Sequence, residues 1–83
     1  MKSEDIKIGE YYYGSNGFGD EGFIICVNGT NQHGVNGDFM YVDGKFAYQY
    51  FKNDAVRIIA LFSQLDREAT DREKKSFLLK SIV

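Results

Sequence analysis

The strongest local signal in this chain is the Asp43-Gly44 pair, which lies between two runs rich in aromatic and β-branched residues. Residues 39–42 precede the pair and residues 45–51 follow it. An Asp-Gly pair in this setting is typical of a β-hairpin with a two-residue type I′ turn, because both turn positions need a positive φ. The segment therefore predicts two neighbouring antiparallel strands.

Alternation of apolar and polar residues extends the sheet over the first 62 residues. Residues 6–13 alternate with period two, which puts Tyr12 on one face of a strand and Tyr11 and Tyr13 on the other. Residues 23–27 form a continuous apolar run, as expected for a central strand buried on both faces. The predicted strands are residues 6–13, 23–27, 39–42, 45–51 and 55–62.

Two polar or glycine-rich segments are predicted to be loops. Residues 14–22 contain four glycines in nine residues, which weakens any strand there. Residues 28–38 carry two Asn-Gly pairs, which favour turns. With the strands placed in this way, alternation predicts a core made of Ile8, Tyr12, Phe23, Ile25, Val27, Val42, Phe46, Val56, Ile58 and Phe62.

The last twenty residues change to a helical pattern. Thr70 and Glu73 have the spacing of a capping box, so we expect a helix to begin there and to run towards the C-terminus. An isolated helix of about 13 residues is marginal in water, so it must dock, either on its own barrel or on a second copy. Residues 1–62 would then be a small β-barrel and residues 63–83 the docking helix. Docking on a second copy would make a homodimer through Phe77, Leu78 and Ile82.

Two segments resemble the small SH3-like barrels. Residues 7–12, Lys-Ile-Gly-Glu-Tyr-Tyr, are similar to the opening of many such barrels, and residues 48–59 are similar to their closing segment. The resemblance covers residues 6–62 and implies a five-stranded antiparallel SH3-like barrel followed by the C-terminal α-helix. Barrels of this kind are common among uncharacterised accessory proteins of bacteriophages and mobile elements. The tryptophan that peptide-reading SH3 domains use is absent from this sequence.

Composition and charge limit the classes of function. The 83 residues suffice for one small domain, and the net charge of −2 is not that of a general nucleic-acid binder. Residues 1–51 hold three lysines against seven acidic residues, a net charge of −4, whereas residues 52–83 carry a net charge of +2. One cysteine, and a start that lacks the apolar core of a signal peptide, lead us to expect a cytoplasmic protein without a membrane segment.

The sequence offers few groups for catalysis or metal binding. Cys26 lies in the most apolar run, where we expect a buried thiol with a raised pKa, and His33 lies in a polar loop. The acidic residues Asp20, Glu21, Asp38 and Asp43 lack the spacing of a calcium loop. We therefore expect no enzyme, no metal and no cofactor.

Aromatic side chains outnumber what so small a core can bury. There are six tyrosines and seven phenylalanines, and exposed aromatic clusters are enriched in interfaces. We therefore expect a non-catalytic module that binds, and modulates or inhibits, a host or defence protein through an aromatic and acidic surface. Binding of single-stranded nucleic acid on stacking aromatics, or sequestration of a small nucleotide or signalling ligand, remain alternatives. The predicted binding residues are Tyr11, Tyr13, Phe18, Asp20, Glu21, Tyr48 and Tyr50.

Overall fold

The structure is a computed structural model that describes residues 1–18, 21–41, 50–51 and 60–81. The strands are β1 (Tyr11–Phe18), β2 (Glu21–Thr30), β3 (Gly34–Tyr41), β4 (Tyr50–Phe51), β5 (Ala60–Leu61) and β6 (Arg67–Glu68). Two 3-10 turns cover Ser3–Asp5 and Phe62–Gln64, and the α-helix α1 covers Asp71–Ser81.

All strand pairs are antiparallel, and the strands lie in the order β4-β3-β2-β1-β6. The short strand β5 also pairs with β3, on the edge that β4 uses, because β2 runs along the other edge. The described chain is therefore mostly β: a curled antiparallel sheet, half of a barrel, followed by a C-terminal helix. At this level the predicted fold class is confirmed.

Neighbouring residues on the strands point to opposite faces of the sheet, and each face has its own apolar core. One core centres on Tyr12, Phe23 and Ile25, and the other combines Ile24 and Met40 with Phe77 of α1. The predicted burial of the second strand on both faces is thus confirmed. The first core consists of Tyr12, Phe23, Ile25, Val27, Val35, Ala60 and Leu65, with Met1, Ile6, Phe39, Tyr41 and Phe62 packed against it.

The first strand begins later than alternation predicts. Residues 7–10 turn instead, because Gly9 has a φ of +93° and its N–H donates to the Val27 carbonyl. Ile8, predicted to be a core residue, is consequently 67% exposed. A buried hydroxyl also holds this turn, since the Lys7 N–H donates to the Tyr12 hydroxyl at 2.8 Å.

The glycine-rich segment from residue 14 is not a loop, and this prediction is wrong. β1 continues to Phe18 and β2 starts at Glu21, so the two strands form a hairpin. Gly14 lies against the Phe23 ring and the Gln64 carbonyl, and Gly22 lies against the Tyr13 ring. These glycines stand in strands because a side chain would collide with the packed neighbours.

The second predicted loop is also mostly strand. β2 runs to Thr30 and β3 starts at Gly34, so the connection shrinks to three residues that the Asn31 side chain organises. Gly37, part of an Asn-Gly pair predicted to form a turn, lies within β3, where an added Cβ would collide with the Cys26 carbonyl oxygen.

The sheet continues past residue 62, which moves the division between sheet and helix. Phe62 starts a 3-10 turn and is half-buried, Leu65 is buried in the first core, and β6 pairs with β1. The sheet therefore ends after Glu68 rather than at residue 62. Several predictions lie outside the described residues: the Asp43-Gly44 turn, the connection between the predicted strands 45–51 and 55–62, and the core residues Val42, Phe46, Val56 and Ile58.

The predicted start of the helix is confirmed. The Glu73 N–H donates to the Thr70 hydroxyl at 3.2 Å, and the Thr70 N–H donates to the Glu73 carboxylate at 2.8 Å. This reciprocal pair is the capping box that the sequence predicts. The acidic residues Asp71 and Glu73 lie in the first turn and Lys80 in the last, which suits the helix dipole.

Candidate binding surface

Tyr13 is a residue of the predicted surface whose ring has described contacts on two sides. It lies on the face of β1 opposite Tyr12 and is half-buried. The guanidinium carbon of Arg67 lies 4.3 Å from the centre of its ring, at the distance of a cation–π contact. The ring also lies against Gly22 of the neighbouring strand. These contacts hold Tyr13 in one orientation while part of its surface stays accessible.

Arg67 is itself held by the helix. Its two terminal nitrogens donate to the two carboxylate oxygens of Glu73 at 2.7 and 3.1 Å. These hydrogen bonds, with those from Thr70, lower the pKa of Glu73 from 4.5 to about 2. The Arg67 side chain remains 46% exposed, against 22% for Glu73. The result is a connected set of side chains, Tyr13, Arg67, Glu73 and Thr70, that joins the sheet to the start of α1.

The tip of the β1–β2 hairpin carries two further predicted residues. Phe18 and Glu21 are paired across the two strands, so their backbones face each other at the end of the hairpin. Gly22, against which the Tyr13 ring lies, follows Glu21 directly in the sequence. We define the hairpin-end surface by the strand positions of Tyr13, Phe18 and Glu21 together with that of Arg67 on β6. Asp20 lies outside the described residues.

An acidic side chain on the neighbouring edge adds to this end of the sheet. Asp66 accepts hydrogen bonds from the backbone N–H of Ser15, at 3.0 Å, and from its hydroxyl. Its own N–H donates to the Tyr13 carbonyl at 2.8 Å. Asp66 therefore places an exposed carboxylate beside β1, two residues along the strand from Tyr13.

Tyr11 occupies a different place from Tyr13, although the two share a face of the strand. Its ring packs edge-to-face on Phe77 with the ring centres 5.3 Å apart, and the Lys74 ammonium lies 5.4 Å from the ring centre. Burial is the main cause of its raised pKa, and a hydrogen bond with Cys26 adds to the shift. Tyr11 is thus part of the helix contact and not of the hairpin-end surface.

The remaining predicted site residues are spread over the molecule. Tyr50 lies on β4, where it pairs with Met40 of β3. In the strand order, β4 is three strands from β1, which corresponds to about 14 Å between the two strands across a sheet. Tyr48 and Ile82 lie outside the described residues. Phe77, predicted for self-association, is 3% exposed and belongs to the core of its own chain, whereas Leu78 is 47% exposed.

Sequence reasoning missed Arg67 and Glu73 as partners of the aromatic residues. The two lie six residues apart, which is no helical spacing, and β6 is too short to be recognised by alternation. Arg67 reaches Tyr13 only because β6 returns to pair with β1. No signal within the sequence marks this pairing.

Among the described residues, the groups considered for chemistry lie apart from one another. Burial raises the pKa of the Cys26 thiol, partly offset by its hydrogen bond with Tyr11, so the thiol is protonated at neutral pH. His33 is exposed at the turn after β2, about 14 Å along the strand from Cys26. Within the described ranges, no group of three His, Cys, Asp or Glu residues could hold a metal ion, and no pocket is present.

No described helix is both long enough and apolar enough to cross a bilayer. Comparison of the chain with protein-family models, with curated proteins and with solved structures finds no match.

Proposed function

We propose that this chain is a non-catalytic protein-binding module and that the hairpin-end surface makes the contact. The observation that carries the proposal is the fixed, partly exposed Tyr13 ring under Arg67. Tyrosine and arginine, with tryptophan, are the residue types enriched among side chains that dominate binding energies. A ring held in place before binding loses little conformational entropy on binding, which favours affinity.

The charges at this end of the sheet favour a partner with a basic surface. Glu21 lies at the tip and Asp66 on the neighbouring edge, whereas the positive charge of Arg67 is already paired with Glu73. Acidic side chains around an aromatic centre attract a basic surface and accelerate association. A host or defence protein that normally binds nucleic acid offers such a basic patch, and covering that patch would inhibit it.

The proposed family of folds is the SH3-like barrel. The last strand, β6, returns to pair with the first strand after a single 3-10 turn, Phe62–Gln64. This return supports an SH3-like arrangement, with β6 as the closing strand instead of residues 55–62. Together with the resemblance of residues 7–12, it favours a phage-type accessory protein that acts in the cytoplasm.

The test uses paired substitutions on two separate surfaces. In the tip variant, Phe18→Ser removes an aromatic side chain from the tip and Glu21→Lys reverses a charge there. Ile8→Ser with Glu10→Lys makes the same kinds of change at two exposed positions before β1. Proteins captured from a host lysate by the wild-type chain are identified by mass spectrometry, and the purified candidate is titrated against all three proteins.

We expect the tip variant to weaken binding at least tenfold, about 1.4 kcal/mol, with a melting temperature close to that of the wild type. The control variant should bind like the wild type. Equal loss of binding in both variants, or full binding by a folded tip variant, would contradict the proposal.

A further inference from the structure

The face of the sheet beneath α1 is an apolar platform. Ile24 and Met40 are buried at its centre, and Tyr11, Tyr13 and Cys26 surround them. Among the described residues of α1, Phe77 is the one buried side chain that the helix places on this platform. The next two residues, Leu78 and Leu79, are 47% and 57% exposed. Phe77 is therefore the apolar anchor among the described side chains of the helix.

An ion pair also joins the helix to the sheet. Glu73 lies four residues before Phe77 and therefore on the same side of the helix, and its carboxylate binds both terminal nitrogens of Arg67. Arg67 belongs to β6, which pairs with β1, so it is part of the sheet and not of the helix. An empty platform would thus present an apolar centre beside an arginine that has lost its carboxylate.

We propose that this platform is an exchangeable docking site for a helix of a partner protein that carries a glutamate and, four residues later, a phenylalanine. In the structure α1 fills the site with its own Glu73 and Phe77. A partner helix of this chemistry displaces α1 by supplying the same two groups. The platform shares Tyr13 and Arg67 with the hairpin-end surface, but the inference rests on the contacts of Phe77 and Glu73 and holds whether or not the hairpin end binds a protein.

The opening of α1 is expected to be easier than the opening of the sheet. A helix of 11 residues has little stability of its own and relies on its tertiary contacts. Among the described residues, those contacts include the burial of Phe77 and partly exposed charge interactions, and the latter are weak in water. Strands β2 and β3, in contrast, pair along most of their length and are buried at their centre. Segments with few buried contacts open locally without global unfolding.

The alkylation rate of Cys26 reports on the opening of α1, because this half-buried residue packs beside the platform. The full-length wild type, Phe77→Ala and Leu79→Ala proteins are treated with a thiol-alkylating reagent at a fixed pH. We expect Phe77→Ala to raise the rate about tenfold or more by opening the platform, whereas Leu79→Ala, at an exposed position of the same helix, leaves it unchanged. Phe77→Leu, which keeps an apolar anchor, should give an intermediate rate and guards against a variant that fails to fold.

A synthetic peptide of residues 66–83 then serves as the partner helix. Added to the Phe77→Ala protein, it should slow alkylation of Cys26 back towards the wild-type rate, whereas the same peptide with Phe77→Ala or Glu73→Ala should not. Equal rates with all three peptides, or equal rates for the wild type and every variant, would overturn the proposal. A wild-type dimer in light scattering that Phe77→Ala abolishes would assign the site to a second copy and overturn its assignment to a separate partner.

Discussion

Replacing Gly14 with alanine tests the packing of the sheet at the position where sequence and structure disagree most. An added Cβ would lie 2.5 Å from Cζ and 2.6 Å from Cε1 of the Phe23 ring, and closer still to the Gln64 carbonyl oxygen. Phe23 is fully buried, so its ring has little space to move, and the carbonyl belongs to the backbone. Overpacking of this kind costs about 1–3 kcal/mol.

In a flexible loop, the same substitution would raise the stability of the protein instead of lowering it. Alanine in place of a loop glycine stabilises a protein by about 0.4–1 kcal/mol, because it reduces the freedom of the unfolded chain. For a domain of 83 residues we therefore expect Gly14→Ala to lower the melting temperature by about 5–20 °C. Thermal unfolding followed by circular dichroism measures this shift directly.

A second variant tests whether the Phe23 ring is the group with which the added methyl group collides. Phe23→Leu removes part of the ring, so Gly14→Ala should cost less in the Phe23→Leu protein than in the wild type, and the two substitutions should couple. An unchanged or higher melting temperature for Gly14→Ala would refute the close packing of β1 against β2. Strict additivity of the two substitutions would refute the role of Phe23.

Three further predictions follow from the contacts of the described residues. Glu73→Ala removes the carboxylate half of the capping box and the Arg67 pair, and it should lower the free energy of unfolding by about 1–2 kcal/mol at pH 7. Because the pKa of Glu73 is lowered from 4.5 to about 2, its stabilising effect is complete above pH 4.5 and is lost as the pH falls towards 2, so urea titrations of the two proteins should converge over that range. Tyr12→Phe removes the hydroxyl that accepts from the Lys7 N–H and should cost about 1 kcal/mol in the same assay, and no cost would show that the turn does not depend on it. Ile8→Ser should change the free energy of unfolding by less than about 0.5 kcal/mol, whereas Ile25→Ala should cost about 2–5 kcal/mol, and a large effect at Ile8 would return that residue to the core.

The candidate surface could be predicted only in part. Alternation places Tyr11 and Tyr13 on the face opposite Tyr12, and this is confirmed, but it cannot distinguish the two tyrosines. Tyr11 lies under the helix because Phe77 reaches it, whereas Tyr13 lies under Arg67. Both neighbours are more than 50 residues away in sequence, so their positions depend on how the chain returns.

The sequence by itself determined the features that depend on near neighbours. The continuous apolar run at residues 23–27 marked a buried strand, and the spacing of Thr70 and Glu73 marked the start of the helix. Only the tertiary structure decided why Gly14 and Gly22 stand in strands, because their reason is a ring or carbonyl packed against them across the sheet. A glycine that bends a loop and a glycine that makes room for a neighbour look identical in a sequence, since the second depends on distances between separate parts of the chain.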